Sequence, residues 1–79
     1  MPDMQRIELH REGQTAILDY TIDSGTLAIW HVVTPVALRG RGIGGELVEQ
    51  ALALARERSL RLKPVCPFAI TYLARNSAE

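Results

Sequence analysis

From Gln5 to His10, Ile7 and Leu9 alternate with charged or polar neighbours. That period of two is the pattern of a strand with one buried face. The alternation returns from Thr15 to Ile22, with Ala16, Leu18, Tyr20 and Ile22 on one face and Thr15, Ile17, Asp19 and Thr21 on the other. Thr26 to Thr34 is rich in β-branched and aromatic residues and predicts a third, more buried strand. Arg11-Glu12-Gly13-Gln14 and Asp23-Ser24-Gly25 carry the residues of tight turns, so the three strands form an antiparallel meander. Pro35 ends the third strand because it has no N–H to give to a ladder.

The period then changes. Ile43, Leu47, Ala51, Leu54 and Ala55 recur at helical spacing, flanked by Val48 and Leu52, while Glu46, Glu49, Arg56, Glu57 and Arg58 fall largely outside that stripe. The spacing predicts a helix from about residue 42 to about residue 58. Leu60 to Cys66 forms a short strand interrupted by Pro64, and Pro67 suits the first turn of a short helix over Phe68 to Arg75. The order is β-β-β-α-β-α. A right-handed crossover makes strands three and four parallel, so the fold class is α+β, with one helix packed across a mixed sheet.

The length of 79 residues suits a single small domain spanning 1–79, with no internal repeat or linker. Hydrophobic residues at 47% and charged residues at 23% are globular values. Cys66 is the one cysteine, and His10, His31 and Cys66 do not sit at metal-site spacing, so neither an internal disulfide nor a metal is expected. No apolar run approaches a membrane span, and residues 1–6 do not resemble a secretory leader. The expectation is a soluble cytoplasmic protein without a membrane partner; the oligomeric state stays open. Net charge is zero, but residues 1–38 carry five acids and two bases, and residues 39–63 carry six bases and three acids. That asymmetry fits either a scattered solvated surface or an anion site near Arg39, Arg41 and Lys63. Zero net charge and few aromatics argue against a nucleic-acid partner.

Glycines 40, 42, 44 and 45 sit where a strand ends and the long helix begins. The first N–H groups of a helix lack intrahelical acceptors and lie at the positive end of its dipole. A phosphate placed there is held by several donors at once. Arg39 and Arg41 add planar donors suited to phosphate oxygens. No Gly-Lys-Ser/Thr follows, so the loop is not a Walker loop, and the spacing does not fit a dinucleotide fingerprint.

Arg39-x-x-Gly42-x-Gly44 matches the R/Q-x-x-G-x-G/A motif of the GNAT superfamily of acetyltransferases. The stretch His31-Val32-Val33-Thr34-Pro35, the run Arg39-Gly40-Arg41-Gly42-Ile43-Gly44 with Leu47-Val48, and Lys63-Pro64-Val65-Cys66-Pro67-Phe68 with Tyr72 together resemble a small single-domain GNAT-like subfamily. The resemblance covers about residues 14–75. After Leu73 the chain departs from the subfamily, with Ala74-Arg75-Asn76-Ser77 in place of basic residues and a His-Pro pair.

The resemblance implies a minimal GNAT-like fold that binds acetyl-coenzyme A. Its diphosphate would lie on the segment Arg39, Gly40, Arg41, Gly42, Ile43, Gly44 and Gly45, and its pantetheine arm in a cleft between strands three and four. Val33, Pro67, Phe68 and Tyr72 would line the rest of the cofactor site. It also implies His31, Cys66 and Tyr72 as catalytic residues. The residues themselves leave alternatives open. His31 shares parity with Leu27, Ile29 and Val33, so it is either a satisfied core histidine or a base. Cys66 before a proline-led helix is either a small buried hydrophobe or an activated thiol. Tyr72 is either a ring packed on the sheet or a general acid. Trp30 is expected to face away from His31, toward the core or helix, and carries no chemistry.

The functional expectation is an N-acetyltransferase that moves an acetyl group from acetyl-CoA to an amine of a small molecule or protein. The alternative is a CoA-binding or acyl-CoA-sensing module without turnover.

Overall fold

The computed structural model describes residues 3–76. It contains strands β1 (Gln5–Arg11), β2 (Gln14–Asp23) and β3 (Thr26–Val33), a 3-10 turn (Val36–Leu38), helix α1 (Ile43–Glu57), strand β4 (Arg61–Pro64) and helix α2 (Pro67–Asn76). The four strands form one sheet in the order β1-β2-β3-β4. The first two pairings are antiparallel and β3–β4 is parallel, as the crossover requires. The fold is α+β, the class that the sequence predicts.

Both hairpins close through two residues of positive φ. Glu12 and Gly13 have φ of 51° and 76°, and Ser24 and Gly25 have 52° and 76°. Such turns match the right-handed twist of the strands they join. The strands then alternate as their sequence dictates. Leu9, Ala16, Leu18, Tyr20, Leu27 and Ile29 are buried beneath α1, whose Leu47, Val48, Ala51 and Ala55 close the core. Ala69 joins the same cluster, so α2 packs on the same side of the sheet as α1. No helix of the described residues is long and apolar enough to cross a membrane.

The fourth strand is shorter than its sequence suggested. It stops at Pro64 because the next two amides, of Val65 and Cys66, both turn to the Ile29 carbonyl at 2.9 and 3.0 Å. That shared acceptor ties the start of α2 to the middle of β3.

The third strand departs from regular alternation. Tyr20 pairs with Ile29, but Asp19 pairs with His31, which leaves Trp30 as an extra residue in a β-bulge. The expectation for Trp30 is thereby corrected. Its indole N–H donates to Thr21 Oγ1 at 2.9 Å, on the face of the sheet away from α1, and it is 39% exposed. His31 lies on that same outer face, not among Leu27 and Ile29. Beside it, the Arg6 guanidinium donates to both Asp19 carboxylate oxygens, at 2.7 and 3.3 Å.

Two outcomes follow from this packing. Leu47→Ala, a fully buried contact of α1 with the sheet, should lower unfolding stability by about 2–5 kcal/mol, read as a shifted urea midpoint at constant slope. The Arg6 hydrogen bond holds the Asp19 carboxyl below its ordinary range, against the opposing effect of burial. Its stabilisation is therefore present above the unfolded carboxyl range and lost as pH falls through the lower folded value. Arg6→Met should reduce stability near neutrality and leave it unchanged in strong acid, as seen by urea unfolding across pH.

Candidate functional site

The chain leaves β3 at Val33 and makes its 3-10 turn with Leu38 buried as the anchor. The Leu38 amide donates to the Pro35 carbonyl at 2.9 Å, and that of Arg39 to Val36 at 3.2 Å. Gly42 then caps α1 with φ of 75° and no side-chain hydrogen bond. A residue with a Cβ is disfavoured in that left-handed region. A glycine cap also brings no side-chain oxygen to the first-turn amides.

The first amide of α1 with an internal acceptor is that of Glu46, which donates to the Gly42 carbonyl at 3.0 Å. Ahead of it, the amides of Ile43, Gly44 and Gly45 have no acceptor in hydrogen-bonding geometry among the described residues. Those three residues line a groove of about 570 Å3, together with Val32, Val33, Thr34, Leu38, Arg39, Gly40, Gly42 and Phe68. The groove combines donors and a positive helix end with the apolar wall of Val32, Val33 and Phe68. Chemically it suits an anionic group joined to an apolar arm.

Gly44 and Gly45 also have a structural role that sequence reasoning missed. A Cβ on Gly44 would lie 2.8 Å from Phe68 Cζ, and one on Gly45 would lie 2.7 Å from Tyr72 Cε1. The two rings of α2 sit 6.2 Å apart and are stacked, directly against the start of α1.

The arginines of the motif diverge. Arg39 lines the groove, with its Nε–H donating to the Thr34 carbonyl at 3.3 Å. Arg41 turns outward and donates to the carboxylate of Glu12 in the β1–β2 turn. A parallel bond joins Arg11 to Glu46 at 2.8 Å. The two ion pairs clasp the first hairpin to the start of α1. No signal local to the motif foretold Glu12 as the partner of Arg41.

Tyr72 packs against Gly45 but is not among the residues that line the groove, and its hydroxyl donates to Glu49 Oε2 at 2.8 Å. That bond, with burial second, raises its pKa above the ordinary value, so the phenol holds its proton at neutral pH. Pro67 opens α2 and is exposed, and Cys66 before it is buried in the core cluster. The His31 side chain is 65% exposed on the outer face, with Nδ1 3.9 Å from Asp19 Oδ2. The structure does not bring His31 and Cys66 together: one projects from the open face of the sheet, and the other packs with the helices.

Gly45→Ala should test the helix–helix contact. Alanine favours a helix over glycine by about 1 kcal/mol, but overpacking against Tyr72 costs about 1–3 kcal/mol. The melting temperature should fall, and a Tyr72→Ala background should convert the loss into a gain.

The model of a family described as GCN5-related N-acetyl-transferase matches residues 6–79. No curated protein matches the chain. Members of that family are acyltransferases that generally use acetyl-CoA and an acceptor. The match runs through the meander, the crossover helix and both segments that follow it, and so the chain belongs to the GCN5-related N-acetyltransferase family.

Proposed function

We propose that the whole chain acts as one acetyl-CoA-binding domain and as an N-acetyltransferase for an amine of a small molecule or protein. The observation that carries this reading is the set of first-turn amides at Ile43, Gly44 and Gly45, without internal acceptors and lining an open groove. A diphosphate is matched there by three backbone donors, the helix dipole and the Arg39 guanidinium. Gly40 and Gly42 leave the approach unobstructed, and Arg41 is one exchange of partner away, through release of Glu12. Val33 and Phe68 offer an apolar wall to the pantetheine arm, with Pro67 starting the helix behind it. We place the protein in the cytoplasm, where a free thiol such as that of Cys66 stays reduced.

Bound acetyl-CoA supplies an activated thioester. His31 takes the proton of the incoming ammonium on its imidazole, the neutral amine bonds to the acyl carbon as the carbon–sulfur bond breaks, and the nitrogen's second proton passes to water as the amide forms. Tyr72, protonated and held by Glu49, is suited to give its proton to the departing sulfur. Cys66 offers a second route, in which its sulfur takes the acetyl group as the coenzyme sulfur leaves with the thiol proton, and the acetyl group then passes to the amine with the cysteine thiol regenerated. One observation favours the alternative of a CoA-binding or sensing module: Cys66 is buried and stands on the other side of the sheet from His31.

Two measurements decide between these. Arg39→Ala should weaken CoA binding about tenfold by calorimetry, the loss of one charge-assisted contact, and Arg41→Ala should weaken it less. An absence of binding to the unmodified protein would end both readings. Incubation with acetyl-CoA followed by intact mass should show one added acetyl group on the wild type and none on Cys66→Ala if the thiol route operates. Binding without acetyl transfer to the protein or to any amine would leave the sensing module.

A further inference from the structure

The outer face of the sheet holds an arrangement that the acyl-transfer reading does not use. With Tyr20 opposite Ile29, an uninterrupted strand would set Trp30 opposite Asp19 and His31 opposite Leu18, on the core face. The extra residue of the bulge moves His31 onto Asp19 instead. Asp19 is only 8% exposed on a face that neither helix covers. Its Oδ1 accepts from Arg6 Nε at 2.7 Å, while its Oδ2 accepts a longer bond of 3.3 Å from Arg6 and lies 3.9 Å from His31 Nδ1. The ring is 65% exposed, and because 3.9 Å is beyond hydrogen-bond reach, closing the gap takes a turn of the imidazole. The indole of its sequence neighbour Trp30 is pinned to Thr21.

We infer that Asp19 is a positioning residue for His31, accepting a hydrogen bond from Nδ1–H and thereby leaving Nε2 as the nitrogen that takes the proton of the incoming amine. The inference rests on the reading of His31 as the base. Arg6 holds the carboxylate ionised and fixes its orientation. What Asp19 gives His31 is direction, an acceptor on one ring nitrogen and none on the other. When Nε2 takes the ammonium proton, the imidazolium carries N–H groups on both nitrogens and Asp19 stays ionised. After transfer, Nε2 returns that proton to water, so no proton rests on the carboxylate.

The first measurement is independent of activity. Long-range 15N–1H spectra of neutral His31 should show the Nδ1-protonated tautomer in the wild type. Asp19→Ala should revert to the Nε2-protonated form that free imidazole prefers in water. Arg6→Met, which leaves the carboxylate in place but loosens it, should give a mixture. The second measurement is kinetic. Asp19→Asn, closest in shape, should lower kcat by roughly tenfold or more and leave the KM for acetyl-CoA unchanged, because the groove at α1 is untouched. An Nε2-protonated wild type, or a tautomer indifferent to Asp19→Ala, overturns the inference, as does an unchanged kcat in Asp19→Asn. If the tautomer follows Asp19 while no acetyl transfer is found, the positioning stands and the enzyme reading falls.

Discussion

The rings of Phe68 and Tyr72 lie against Gly44 and Gly45 so closely that a single added carbon would meet them at 2.8 and 2.7 Å. This contact locks the first turn of α1 to α2. The start of α2 is itself fastened to β3, because the Ile29 carbonyl takes the amides of both Val65 and Cys66. Three segments far apart in sequence thus converge, and the groove is the space between them. Its floor is the end of β3, its donor edge is α1, and Phe68 is its far wall. A shift of α2 would open that wall and move the whole site.

The glycine run therefore answers two demands within six residues. Gly42 supplies a left-handed cap that presents no side chain to the helix amides. Gly44 and Gly45 supply the absence of a Cβ that the aromatic rings require. Glycine inside a helix is costly in conformational entropy, and here the ring packing offsets that cost. The same run thus leaves the α1 amides without internal partners and draws the hydrophobic wall up beside them. An open helix end and a close helix–helix contact have become one feature.

The two faces of the sheet divide the remaining chemistry. One is dry, with Leu18, Leu27, Ile29 and the buried thiol of Cys66 beneath the helices. The other is open and polar, with Arg6, Asp19, Thr21, Trp30 and His31 joined by side-chain bonds or a charge contact. The groove opens at the end of β3, where Val32 and Val33 still line it. A ligand lying there has the helix dipole on one side and approaches the open face on the other.

Periodicity in the chain determined most of the architecture. Runs such as Ala16, Leu18, Tyr20 and Ile22 can bury one face only as a strand, and Ile43, Leu47, Ala51 and Ala55 only as a helix. The parallel fourth strand follows from the handedness of the crossover, and the open amides of Ile43, Gly44 and Gly45 follow from a helix start with no side chain placed to cap it. Only tertiary structure decided the rest. The bulge at Trp30 shifts the register by one residue, and a sequence of consecutive large residues, Ile29-Trp30-His31-Val32, carries no mark of where the extra residue lies. The partnership of Arg41 with Glu12 spans 29 residues, and the need for glycine at 44 and 45 comes from rings more than twenty positions away. Local pattern records which side of an element is buried; it does not record which distant atom comes to lie against it.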